Sequence, residues 1–121
     1  MKRDLDLIRS ILLAMEASPT GYAPEELHVP GFTDDQIGYH VYLMGQAGFI
    51  EASEVTSRDS SSPQAIPICL RWEGYEFLDA ARDDTRWRQA RTAIREKAGT
   101  VTVAVLTQVL VSMAKSAMGL Q

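Results

Sequence analysis

Two short apolar runs, Phe49-Ile50-Glu51-Ala52 and Ile68-Cys69-Leu70-Arg71-Trp72, bracket fifteen mostly polar residues that include Arg58-Asp59-Ser60-Ser61-Ser62-Pro63. That arrangement predicts an antiparallel hairpin with a long exposed loop. Apart from a short extended piece around Leu27–Val29, nothing else in the sequence reads as β-structure. A hairpin alone is marginal in water, so helices must cover its apolar face.

The rest of the chain carries helical periodicity. Leu5, Ile8, Leu12 and Met15 recur at 3.6-residue spacing, with Ile11 widening the stripe, and predict a helix from about Asp4 to Ala17. Ser18-Pro19-Thr20-Gly21 stops it. Thr33 opens a second helix as N-cap, with Gln36 at the capping-box position and Ile37, Val41 and Met44 inward. Leu43 or Ala47 joins that stripe at its edge, Gly48 is a natural C′ residue, and Gly38 and Gly45 lie inside the helix. A third helix is expected over Glu73–Ala81, with Phe77 and Leu78 inward. A fourth carries Trp87, Ala90, Ile94 and Ala98 on one face, and Gly99 ends it. Thr100 is the expected cap of a last helix reaching about Met118. The predicted class is mainly α with a small β-hairpin: a domain over 1–83 and a C-terminal helical extension over 84–121.

A helix ending in Ala47-Gly48-Phe49-Ile50 and leading into a hairpin resembles the latter half of a winged-helix domain. In that fold the hairpin loop is the wing and the preceding helix is the one that enters the major groove. The helix that normally precedes it has only Pro24 to Leu27 available, so it is absent, vestigial or replaced by extended chain.

The chain also resembles one family specifically. Met1-Lys2-Arg3-Asp4-Leu5-Asp6-Leu7-Ile8-Arg9 is similar to the opening of the bacterial and phage family called domain of unknown function 2513. Ile37-Gly38-Tyr39-His40, with Leu43 and Ala47-Gly48-Phe49-Ile50, resembles its central pattern. Leu70-Arg71-Trp72-Glu73-Gly74-Tyr75-Glu76-Phe77-Leu78-Asp79-Ala80-Ala81-Arg82-Asp83, with Trp87, resembles its third block. Arg71 stands where the pattern has Thr, and Tyr75 where it has His. The resemblance implies a fold and a prokaryotic or phage setting; the family has no assigned activity.

Charge bears on partners. Twelve Lys+Arg against 16 Asp+Glu give a net charge of −4, which argues against a protein coated with nucleic acid. From Thr33 to Gly48 there is no Lys or Arg, and Asp34 and Asp35 occupy the first turn, where they would repel phosphate. The exposed set expected on this helix is Gln36, Tyr39, His40, Tyr42 and Gln46, a hydrogen-bonding, aromatic surface suited to a protein contact. Packing of Tyr39 and Tyr42 against neighbouring helices is the alternative, and His40 also reads as a boundary residue bonded to backbone. Arg82, Arg86, Arg88, Arg91, Arg95 and Lys97 hold six of the 12 basic residues. Arg88, Arg91 and Arg95 share one helix face, either for phosphate or an acidic partner or as a solvated face paired with Asp83, Asp84 and Glu96; the solvated face is preferred. Arg58 in the loop is a further candidate phosphate contact.

No reaction is spelled out. His28, His40 and Cys69 fit no zinc spacing, and Asp79, Asp83 and Asp84 read as solvated or capping residues. P-loops, nucleophile elbows and dinucleotide fingerprints are missing. The expectation is a non-enzymatic protein with no cofactor or metal. One cysteine suits a reducing, cytoplasmic setting. Asp4, Asp6 and Arg9 interrupt the first apolar positions, as in an ordinary helix and unlike a signal peptide. Residues Ala98 to Ala114 carry no charge but are too polar for a membrane span. In the last helix Val103, Leu106, Leu110 and Met113 are the expected homodimer interface, with packing on the first helix as the alternative. The function read from the sequence is a winged-helix-like adaptor for a protein partner; the alternative is a transcriptional regulator binding duplex DNA.

Overall fold

The computed structural model describes residues 1–98 and 102–119. Among the described residues, five helices and one antiparallel hairpin follow in the order α1 (Leu5–Glu16), α2 (Asp34–Gln46), β1 (Ile50–Glu54), β2 (Ala65–Leu70), α3 (Trp72–Ala81), α4 (Asp84–Ala98) and α5 (Val103–Ala117). The protein is mainly helical with a small β-hairpin. It divides into two compact units, residues 1–76 and 77–121.

In the first unit, Asp4 caps α1 through its carboxylate, which accepts the Leu7 N–H at 3.1 Å. The periodic residues of α1 are buried, and so is Leu7, which the stripe omitted. α2 opens with the predicted capping box. Ile37, Val41 and Met44 point inward, Leu43 is half-buried and Ala47 exposed, and Gly48 follows as C′ with φ +79°.

The strands lie closer to the loop tip than the apolar runs suggest. Ile50 pairs with Leu70 and Glu54 with Ala65, with a register shift between Glu51 and Ala52. Backbone pairing continues to the Val55 N–H, which donates to the Gln64 carbonyl at 2.9 Å. Ladder bonds are made by the main chain, so polar side chains do not end them. At the other end Arg71 donates its N–H to the Phe49 carbonyl at 2.9 Å, and the chain turns directly into α3. Trp72 therefore starts a helix instead of ending a strand.

The extended piece expected around Leu27–Val29 lies elsewhere. Tyr22 forms an isolated antiparallel bridge to Cys69, and the Ala23 N–H donates to the Ile68 carbonyl at 2.8 Å. This segment satisfies the β2 edge that β1 does not use. Val29 instead sits buried in a turn whose carbonyl accepts the Phe32 N–H.

In the second unit, Phe77 and Trp87 pack edge to face with ring centroids 6.1 Å apart. Asp83 caps α4 by accepting the Arg86 N–H at 2.8 Å. Ala90 and Ile94 are buried beside Trp87; the side chain of Ala98 lies outside the described residues. So do Gly99 and Thr100, the expected stop and cap. The cap of α5 is Thr102, whose hydroxyl accepts the Val105 N–H.

Candidate functional site

α2 carries most of the predicted partner-binding residues, and its packing decides which of them face outward. On the inner side, His40 is 2% exposed. Its Nε2 accepts the Asp4 N–H at 2.8 Å, and its Nδ1 lies 2.8 Å from the Gln36 carbonyl. An imidazole that accepts at Nε2 donates at Nδ1, so these two bonds assign the tautomer. His40 is therefore removed from the exposed set. It ties α2 to the start of α1, occupying one of the N–H groups that a helix N-terminus leaves unpaired. Gln36 is likewise committed: its Oε1 accepts the Thr33 N–H at 2.8 Å, while its own N–H donates to the Thr33 hydroxyl at 3.1 Å.

Tyr39, Tyr42 and Gln46 remain on the outer side, one helical turn apart. The two tyrosine rings stack at 6.4 Å with an interplanar angle of 18°, and both residues are half-buried. Gln46 Nε2 donates to the Tyr42 hydroxyl at 2.8 Å. The three side chains thus brace one another into a preorganised polar-aromatic ridge. Beside the ridge, between α2 and β1, a groove of about 480 Å³ is lined by Tyr42, Gln46, Glu51, Ala52, Glu54 and Arg71.

The two glycines inside α2 explain how the hairpin sits so close. A Cβ on Gly45 would lie 3.0 Å from the Cβ of Ala52, and one on Gly38 would overlap the side-chain amide of Gln64. Gln64 crosses α2 at that point. Its Nε2 donates to the Asp35 carbonyl at 3.1 Å and to the Ser62 hydroxyl at 2.8 Å, and the Ser61 hydroxyl donates to the Asp35 carboxylate at 3.4 Å. The returning limb of the loop is thereby fastened to the first turn of α2. Nothing in the polar stretch around Gln64 marks this residue out from its neighbours. Arg58 lies exposed in a turn at the loop tip.

On α4, Arg88 pairs with Asp84 at 2.6 Å, with both side chains largely exposed. Arg95 is exposed and Arg91 half-buried. The side chains of Glu96 and Lys97 lie outside the described residues. On α5 the predicted dimer stripe turns inward: Leu106 and Leu110 are fully buried and Val103 and Met113 half-buried. α5 packs against α4 of the same unit. The exposed large apolar residues here are instead Val105 and Val111 on α5 and Met118 at its C-cap.

A family model described as "Hypothetical protein (DUF2513)" matches residues 2–100. The chain belongs to this family. A relative in sequence, an "Uncharacterized protein" of Haemophilus influenzae (strain ATCC 51907 / DSM 11121 / KW20 / Rd), is 36% identical over 117 residues, spanning 90% of this chain and 92% of its own. No solved structure matches the chain. Arg71, between β2 and α3, and Tyr75, in the first turn of α3, are both exposed.

The net charge of this DUF2513 chain hides a division. Residues 1–76 hold 5 Lys+Arg against 12 Asp+Glu, a formal charge of −7, whereas residues 77–121 hold 7 against 4, or +3. Between Arg9 and Arg58 there are seven carboxylates and no Lys or Arg. α2 and both strands lie within or beside that stretch.

No group of three or more His, Cys, Asp or Glu able to hold a metal ion exists among the described residues. Asp79 pairs with Arg82 at 2.7 Å, so each of the three clustered aspartates has a structural partner. The Cys69 thiol donates to the Glu51 carboxylate at 3.5 Å. Burial pushes this thiol above its ordinary value, the Glu51 carboxylate adds to the effect, and Arg71 opposes it. Such a thiol is a poor nucleophile at neutral pH. Among the described residues, no helix is long and apolar enough to cross a membrane.

Proposed function

We infer that this chain is a non-enzymatic, winged-helix-like adaptor that binds a protein through the outer face of α2 and the adjoining hairpin. The order α1, the Tyr22 bridge, α2, β1, loop and β2 supports the winged-helix reading. So does the bridge itself, because the first strand of a winged helix pairs with the second limb of the wing. No helix occupies the stretch between the bridge and α2.

The observation that carries the proposal is the ridge of Tyr39, Tyr42 and Gln46 on a helix without a single Lys or Arg. Stacked tyrosines present contact area with little entropy left to lose, as protein hot spots do. DNA readout draws on cations to neutralise phosphate, and here the position of a reading helix carries Asp34 and Asp35 instead. A duplex-binding regulator is the second reading, favoured by the exposed Arg58 at the loop tip and Arg95 on α4.

Affinity capture from a bacterial host, with the wild type against Tyr42→Ala, and duplex-DNA titration over a salt series test the two together. The adaptor reading expects a protein captured by the wild type and lost in Tyr42→Ala, with no DNA bound at 50 mM salt. DNA binding that falls steeply with salt and is abolished by Arg95→Glu overturns it.

A further inference from the structure

A second groove, of about 320 Å³, lies between the segment joining α1 to α2, α2 itself and β2. Its floor is Ile37 and Val41, its walls include Val55 and Ile66, and Glu25 and Asp34 stand among its lining. Ile37 and Val41 are buried, but Val55 is 46% and Ile66 54% exposed. Lone exposed aliphatic side chains are ordinary on a protein surface, whereas two lining one groove make a patch. No helix forms between Tyr22 and Thr33, so the first unit leaves this apolar trough uncovered along that length.

The charge around the groove selects what covers it. The stretch from residue 10 to residue 57, which supplies the floor, Val55 and both acidic lining residues, contains seven carboxylates and no Lys or Arg. An acidic segment would be repelled there, and a nucleic acid more so. We propose that this groove docks a short amphipathic, basic segment of a protein partner, with aliphatic side chains against Val55 and Ile66 and Lys or Arg against Glu25 and Asp34. The inference rests on the adaptor reading but uses a different surface: Tyr39, Tyr42 and Gln46 do not line this groove.

The test is fluorescence anisotropy on the full chain with a labelled twelve-residue Leu/Lys amphipathic peptide, against the same peptide with Glu in place of Lys. The expected result is binding of the Lys peptide only, weakened at least tenfold by Ile66→Ser and by Glu25→Lys. Both positions are exposed, and circular dichroism confirms that the variants fold. Glu73→Lys, the same charge change outside the groove, is expected to leave affinity within twofold. Equal binding of the two peptides, equal weakening by Glu73→Lys, or affinity unmoved by Ile66→Ser overturns the proposal. So does a concentration-dependent dimer abolished by Ile66→Ser, which would make a second copy the occupant. Loss of the captured host protein in Tyr42→Ala, alongside no peptide binding, removes this inference and leaves the adaptor reading standing.

Discussion

Replacing His40 with alanine removes two bonds at once. The Asp4 N–H loses its acceptor and the Gln36 carbonyl its donor, both in partly buried positions. A buried backbone group left without a partner costs about 1–3 kcal/mol, so His40→Ala is expected to lower stability by roughly that amount in urea denaturation. Gly74→Ala should also destabilise, although alanine is the better helix former, because the added Cβ would overlap the Phe49 carbonyl oxygen that accepts the Arg71 N–H. Main chain cannot move aside there as a flexible side chain could. Cys69 offers a chemical reading. Glu51→Gln removes a carboxylate that raises the thiol's pKa, so the thiolate fraction grows and alkylation at pH 8 should run faster. The shift also fixes a sign for stability. A thiol held protonated in the folded state stabilises it at neutral pH, and that contribution is lost as pH rises through the folded value. His40 shows what sequence reading loses at this scale. Its place on α2 was legible, and so was the option of a backbone bond. Its partner thirty-six residues away was not, because such a contact leaves no periodic trace.

The loop between β1 and β2 is held at its returning limb, and one side chain does most of the holding. Gln64→Ala removes the bonds to Asp35 and Ser62, and trypsin cleavage at Arg58 is expected to accelerate severalfold, read by mass spectrometry under native conditions. On α5, Leu106→Ala removes a fully buried side chain and should cost about 2–5 kcal/mol, whereas Val105→Ser, on the exposed side, should be near neutral. Thermal melts of the two variants distinguish the interior assignment from an interface between copies. Helices were the most legible elements: the capping box at Thr33 and Gln36 fixed where α2 begins, and the alternation of Trp87, Ala90 and Ile94 fixed the buried side of α4. The strands were less so. Residues such as Glu54 and Ala65 pair through their backbones, which the side-chain pattern does not encode. The apolar circumference of α5 was visible too, but which of its stripes faces α4 depends on the neighbour's shape.

At the level of the whole molecule, a charge of −7 in residues 1–76 and +3 in residues 77–121 matters more than their total. At an ionic strength near 0.01 M the screening length is about 30 Å, so copies should attract one another through opposite units. Light scattering is expected to show a negative second virial coefficient there that relaxes toward zero at 0.15 M. The ridge on α2 has a further consequence for life among polyanions. RNA and DNA crowd every bacterial interior and compete for any surface that offers them cations. For the proposed adaptor, a tyrosine ridge on a helix with two carboxylates in its first turn and no Lys or Arg would give such polyanions no cation to hold.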